Sequence, residues 1–148
     1  MFEKVPSFDA ELGPGALGLY DDTLFSFQLK KAGFKIGHAF DVISEHHFDE
    51  SRLLRKNLIS HGKKKGRSLA YLRHHWFHRQ MDFSAIKYLK SQLSLAKLRL
   101  MGAEDSKDSE GISDRELTVV SHTQLYRQYF IESSRQRNYS QEGLVKIS

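Results

Sequence analysis

FKIGHAFDVISEHHF, residues 34–48, is the stretch on which the fold turns. β-branched and aromatic residues gather in two short runs, 34–37 and 41–45, and this pattern predicts two short strands. The sequence on either side reads as helix. Upstream, DDTLFSFQLKKAG (residues 21–33) sets Phe25 and Leu29 four apart, opens on two acids and stops on Gly33. Acids at the positive end of the dipole, Lys30 and Lys31 at the negative end and a glycine stop define a short helix. Downstream, apolar residues recur at helical spacing in three segments: Leu54 and Leu58; Leu69, Leu72 and Trp76; and Ile86, Leu89, Leu93, Ala96 and Leu100. Gly62 and Gly66 bracket residues 63–65 between the first two of these segments. Two strands followed by helices make an α/β chain, and a two-stranded sheet is marginal alone, so further strands are expected beside it.

The remaining organisation follows from turn and capping residues. The opening segment to about residue 20 is punctuated by Gly13, Pro14, Gly15 and Gly18 and reads as an irregular loop. GAEDSKDSEG, residues 102–111, is small and polar and reads as a flexible linker. Ser113 followed by Glu116 is a capping-box signature for a last helix running to about residue 137.

At 148 residues the chain suffices for one domain with a real core. A mean hydropathy of -0.53 and the absence of a long apolar run exclude a membrane span. The first residues lack an apolar core followed by small cleavage-site residues, so no secretory signal is expected and a cytoplasmic location is. There is no cysteine, which removes disulfides, thiolate nucleophiles and cysteine-ligated zinc. The net charge of +5 is unevenly spread: residues 51–81 hold nine Lys or Arg and no Asp or Glu. Such a block is a solvated helical face, or it meets an anionic membrane, a phosphate-bearing ligand or nucleic acid. The nucleic-acid motifs that would accompany the last of these are missing.

Residues 8–48, FDAELGPGALGLYDDTLFSFQLKKAGFKIGHAFDVISEHHF, resemble the second half of the catalytic domain of family 2 glycosyltransferases. Phe8 and Asp9, the glycine-rich loop 12–18, Asp21 and Asp22, Ala32 and Gly33, and His46 match that family's motifs in order. The resemblance implies the C-terminal part of a GT-A nucleotide-diphospho-sugar transferase domain, with residues 1–50 as its acceptor-side portion. Residues 51–101 then form a basic helical extension, 102–113 a linker, and 114–148 a last helix and tail. The family's nucleotide-binding βαβ region and D-x-D metal motif are not found here, so the resemblance places the donor-binding half elsewhere, whether the gene is truncated, split so that a separate chain carries it, or misassigned at its start.

The resemblance further implies inverting transfer of a sugar from a nucleotide-diphosphate donor to a hydroxyl of a glycan or lipid-linked acceptor, assisted by Mg²⁺ or Mn²⁺. It places the general base on Asp22, with Asp21 beside it. The first turn of that helix offers unpaired N–H groups and the positive dipole end to the Asp22 carboxylate, while the Asp21 charge opposes it. His46 matches a histidine near the metal or diphosphate. Gly13, Pro14 and Gly15 read as an acceptor-lining loop or as a plain turn. His61, His74, His75 and His78 have no carboxylate partner nearby in sequence and read as surface residues. The alternative to an enzyme is a non-catalytic basic module whose cationic block, with Tyr71 and Trp76 as amphipathic aromatics, meets an anionic membrane at its inner face or a protein partner.

Overall fold

A computed structural model describes residues 2–5, 7–45, 47, 49–103 and 107–147. Four α-helices dominate it: α1 (Asp21–Lys31), α2 (Arg55–Tyr71), α3 (Ser84–Leu98) and α4 (Asp114–Ser133). α2 continues through a π turn at Leu72–Trp76 and α3 through another at Arg99–Ala103, while short 3-10 turns occupy Glu50–Leu53 and Asp108–Glu110.

The α/β expectation is overturned. Among the described residues there is no strand, and the chain is helical. Residues 34–45 run without regular structure, and Ile36, Phe40, Val42 and Ile43 are all exposed. β-preference expresses how well a side chain packs on a half-buried pleated surface, and no neighbouring strand supplies that surface here. The GT-A assignment of fold class falls with the sheet.

The helix signals fare differently. α1 begins at the acidic pair and ends before Gly33, whose φ of 90° is the left-handed conformation that lets the chain leave the helix. At α4 the Ser113 hydroxyl accepts from the Glu116 N–H at 3.2 Å, as a capping residue should. That helix ends at Ser133, short of residue 137, and the tail turns back over α1 and α2. Gly62 and Gly66 do not separate two helices. Both lie inside the single helix α2, on the face that crosses α4: a Cβ on Gly66 would stand 2.1 Å from the Ser121 carbonyl oxygen, and one on Gly62 would stand 2.7 Å from Leu117. Below this crossing Ala70, Leu125 and Tyr129 form one apolar cluster.

The described parts of the linker are tied down at Ala103, Asp108 and Gly111. The buried Arg55 guanidinium, at the first residue of α2, bonds the Ala103 carbonyl at 2.6 Å and the Gly111 carbonyl at 3.1 Å, and pairs with Glu116 in the first turn of α4. The Lys56 N–H donates to Asp108 at 2.8 Å. A second core joins the loop to the helices through Leu12, Leu24, Tyr71, Leu72, Trp76 and Tyr139. Tyr71 and Trp76 are therefore interior residues rather than surface aromatics, and the Trp76 indole N–H donates to the Gly143 carbonyl at 2.9 Å.

Of the four histidines assigned to the surface, His74 and His75 are buried and His78 is half-buried. His74 bonds the Arg135 carbonyl and His78 the Tyr139 carbonyl. His75 is fully buried; its Nδ1 accepts from the Asn138 N–H at 3.1 Å, which leaves the Nε2 hydrogen to donate to Glu132 at 3.0 Å. Its carboxylate partner lies 57 residues away in sequence.

Around this histidine a polar network fixes the base of the N-terminal loop. Asp9 accepts from the Tyr71 hydroxyl at 2.5 Å, the Tyr139 hydroxyl at 2.7 Å, the Glu11 N–H at 3.0 Å and Lys146 at 3.1 Å. Glu11 accepts from Lys146, Asn138 and Arg135, and Arg135 also bonds Glu132. Burial pushes the Asp9, Glu11 and Glu132 carboxyls up, but these hydrogen bonds and cations outweigh it and hold all three below the ordinary carboxylate value. Burial holds His74 below the ordinary histidine value. Burial would lower Lys146, yet Glu11 and Asp9 raise it, while burial and Asp9 together raise Tyr71 and Tyr139.

The sign of the pH dependence follows. Groups lowered on folding stabilise the fold above their unfolded values and lose that contribution as pH falls, whereas the raised Lys146 loses its own only as pH climbs past the ordinary lysine value. The melting temperature is expected to be flat from about pH 7 to about pH 10, to decline first through His74 and then steeply below about pH 4.5. Thermal unfolding followed by circular dichroism checks this. A melting temperature constant down to about pH 3 would contradict it.

Candidate functional site

Upstream of α1, residues 12–18 form a tight loop carried on the Asp9 and Glu11 network. Gly13 has φ 68° and Gly15 φ 87°, conformations that glycine adopts without a Cβ penalty. The loop folds onto the acidic start of α1: a Cβ on Gly13 would lie 2.8 Å from Asp21 Oδ2, so the Asp21 carboxylate rests directly on the Gly13 backbone. Asp22 points elsewhere and is exposed. Its Oδ1 accepts from the Thr23 N–H at 2.6 Å and from the Thr23 hydroxyl at 3.2 Å. Its Oδ2 has no hydrogen-bond partner among the described residues, which leaves that oxygen available as a proton acceptor.

The other side of the loop faces α2. The Leu19 N–H donates to the Ser68 hydroxyl at 3.2 Å. Gly18, with φ 107°, lies so close to Lys64 that a Cβ there would meet Lys64 Cγ and Cδ at 2.8 Å. Between these walls opens a cleft of about 580 Å³, with Pro14, Gly18 and Leu19 on the loop side and Arg52, Asn57, His61 and Lys64 among the residues opposite. Asn57, His61 and Lys64 share one face of α2 at intervals of four and three residues. Among the described residues no carboxylate lines the cleft. Arginine, lysine and imidazole donors around one concavity suit a phosphate-bearing or polyhydroxylated ligand.

Of the residues expected to act, the structure thus brings Gly13 and Asp21 into contact and sets Pro14 in the cleft wall. Gly15 faces open space, and Asp22 stands at the exposed helix start. His46 lies outside the described residues. Among the described residues no group of three His, Asp or Glu side chains is arranged to hold a metal ion. They do not fit Mg²⁺ or Mn²⁺ by themselves, and no step below runs through a metal. Arg52 and Lys64 were legible only as members of a charge block, and His61 only as a surface histidine, which it is. The signal that would have separated them is the Asn57, His61, Lys64 register on one helix face.

Comparison of the chain with protein-family models, with curated proteins and with solved structures finds no match.

Proposed function

We propose that this chain carries the acceptor side of an inverting glycosyltransferase. The observation that carries the reading is the cationic cleft between the glycine loop and α2, beside the acidic start of α1. The acceptor lies along Pro14, Gly18 and the Asn57, His61, Lys64 face, and its phosphate or sugar oxygens take hydrogen bonds from Lys64, His61 and Arg52. The acceptor's hydroxyl end extends out of the cleft to the start of α1, where Asp22 Oδ2 removes its proton as that oxygen bonds to the anomeric carbon of a nucleotide-diphospho-sugar. The bond from that carbon to the diphosphate oxygen breaks, and the nucleoside diphosphate leaves with the electron pair. Asp21, packed on Gly13, holds the loop at the start of α1 and is a positioning residue.

The resemblance assigns the donor's nucleotide to a region outside these 148 residues. The test therefore supplies a donor-binding region in trans or by fusion and measures nucleoside diphosphate released on addition of phosphate-bearing hydroxyl acceptors. Lys64→Ala is expected to raise the acceptor KM about 10-fold, the scale of one lost charge-assisted hydrogen bond, with kcat little changed. An unchanged KM in Lys64→Ala and in Arg52→Ala would move the acceptor out of this cleft.

A further inference from the structure

α3 carries its apolar residues on the wrong side for a core helix. Ile86, Leu89 and Leu93 recur at spacings of three and four and so share one stripe, and Leu100 follows in the π turn that continues the helix. They are 51%, 61%, 71% and 90% exposed, and Phe83 and Met101 at the two ends are 72% and 68% exposed. The helix docks through its other face. Tyr88 meets Phe130 of α4 edge-on at 6.3 Å, Leu95 and Leu98 face α4 across a shared cavity, and Ser91 is the one buried residue of the helix. Folding leaves the stripe uncovered, and a contiguous exposed apolar face of this length marks an interaction surface.

The charges beside the stripe select what covers it. From residue 83 to residue 103 there are four cations, Lys87, Lys90, Lys97 and Arg99, and no Asp or Glu. Lys90 follows Ile86 by four residues and Lys97 follows Leu93 by four, so both flank the stripe. Long lysine stems lie along an apolar surface while their ammonium groups reach a more polar layer. A second copy of the chain would press two like-charged flanks together.

We propose that α3 is an interfacial helix that seats the protein on an anionic bilayer, with Ile86, Leu89, Leu93 and Leu100 in the acyl boundary and Lys90 and Lys97 at the head groups. The helix lies in the plane of the membrane; no helix of the described residues is long and apolar enough to cross one. The inference does not depend on the transferase reading. It differs from the expectation that the cationic block of residues 51–81 makes the contact, because that block's aromatic anchors are interior.

The test is co-sedimentation of the full chain with vesicles of phosphatidylserine and phosphatidylcholine against vesicles of phosphatidylcholine alone. Binding to the anionic vesicles, weakened by salt, is expected. The double variant Leu89→Glu and Leu93→Glu, both at exposed positions, should keep the wild-type melting temperature and lose at least about 10-fold in partitioning. Lys90→Gln with Lys97→Gln should lose about 10-fold on anionic vesicles only. The double variant Lys63→Glu and Lys65→Glu in α2 should partition within about threefold of wild type. Absent binding, or wild-type binding by the Leu89→Glu and Leu93→Glu variant, overturns the proposal. So does a stripe-dependent dimer, seen by light scattering, with no vesicle binding.

Discussion

Gly66→Ala is expected to lower the melting temperature by about 10 °C or more, or to prevent folding, because it drives α2 off α4. The added Cβ would stand 2.1 Å from the Ser121 carbonyl oxygen, 2.9 Å from the Leu125 nitrogen and 3.0 Å from Gln124 Cβ. Two of these atoms are helix backbone and cannot swing aside as a side-chain end can. The helices must separate, and the crossing they form holds the Ala70, Leu125 and Tyr129 cluster and the buried Arg55–Glu116 pair. Overpacking a well-packed site costs about 1–3 kcal/mol, and a backbone collision belongs at or above the top of that range. A domain of this size has only about 5–15 kcal/mol to lose. Gly62→Ala is the internal comparison: its nearest neighbour is the flexible end of Leu117 at 2.7 Å, which can rotate, so its effect should be clearly smaller. Equal shifts in the two variants, measured by thermal circular dichroism, would contradict the crossing described.

The contrast between those glycines and Gly33 shows where sequence reasoning runs out. Gly33 was legible because its role is local: it follows the last lysines of α1 and takes a left-handed φ. Gly62 and Gly66 have a local cost in a helix and a tertiary purpose, and only the cost can be read from neighbouring residues. The same division runs through the rest of the chain. Ser113 and Glu116 are three apart and predicted the start of α4 correctly. Asp9 finds its tyrosines 62 and 130 residues away, which no local pattern announces. Periodicity identified the α3 stripe without revealing which side the core would lie on. Residues 34–45 have strand-like composition, but pairing partners, not composition, decide whether a strand forms. In the candidate site the order of loop and acidic pair was legible, and the contact of Gly13 with Asp21 was not. The cationic wall of the cleft was hidden inside a block of nine similar charges.

The second large effect is at Asp22. In the reconstituted transferase, Asp22→Asn is expected to lower kcat by about 100-fold or more while leaving the acceptor KM nearly unchanged. Asparagine has nearly the shape of aspartate and can keep the bond from Thr23, but it offers no carboxylate to take the acceptor's proton. Because Asp22 is exposed and its hydrogen bonds among the described residues are to the adjacent Thr23, which asparagine can keep, the melting temperature should match wild type, which separates a chemical defect from a structural one. The measurement that bears most directly on the proposed function is single-turnover release of nucleoside diphosphate by wild type and Asp22→Asn at saturating acceptor. The proposal predicts loss of the fast chemical step in the variant with acceptor binding retained. An Asp22→Asn protein that releases product at the wild-type rate would contradict it.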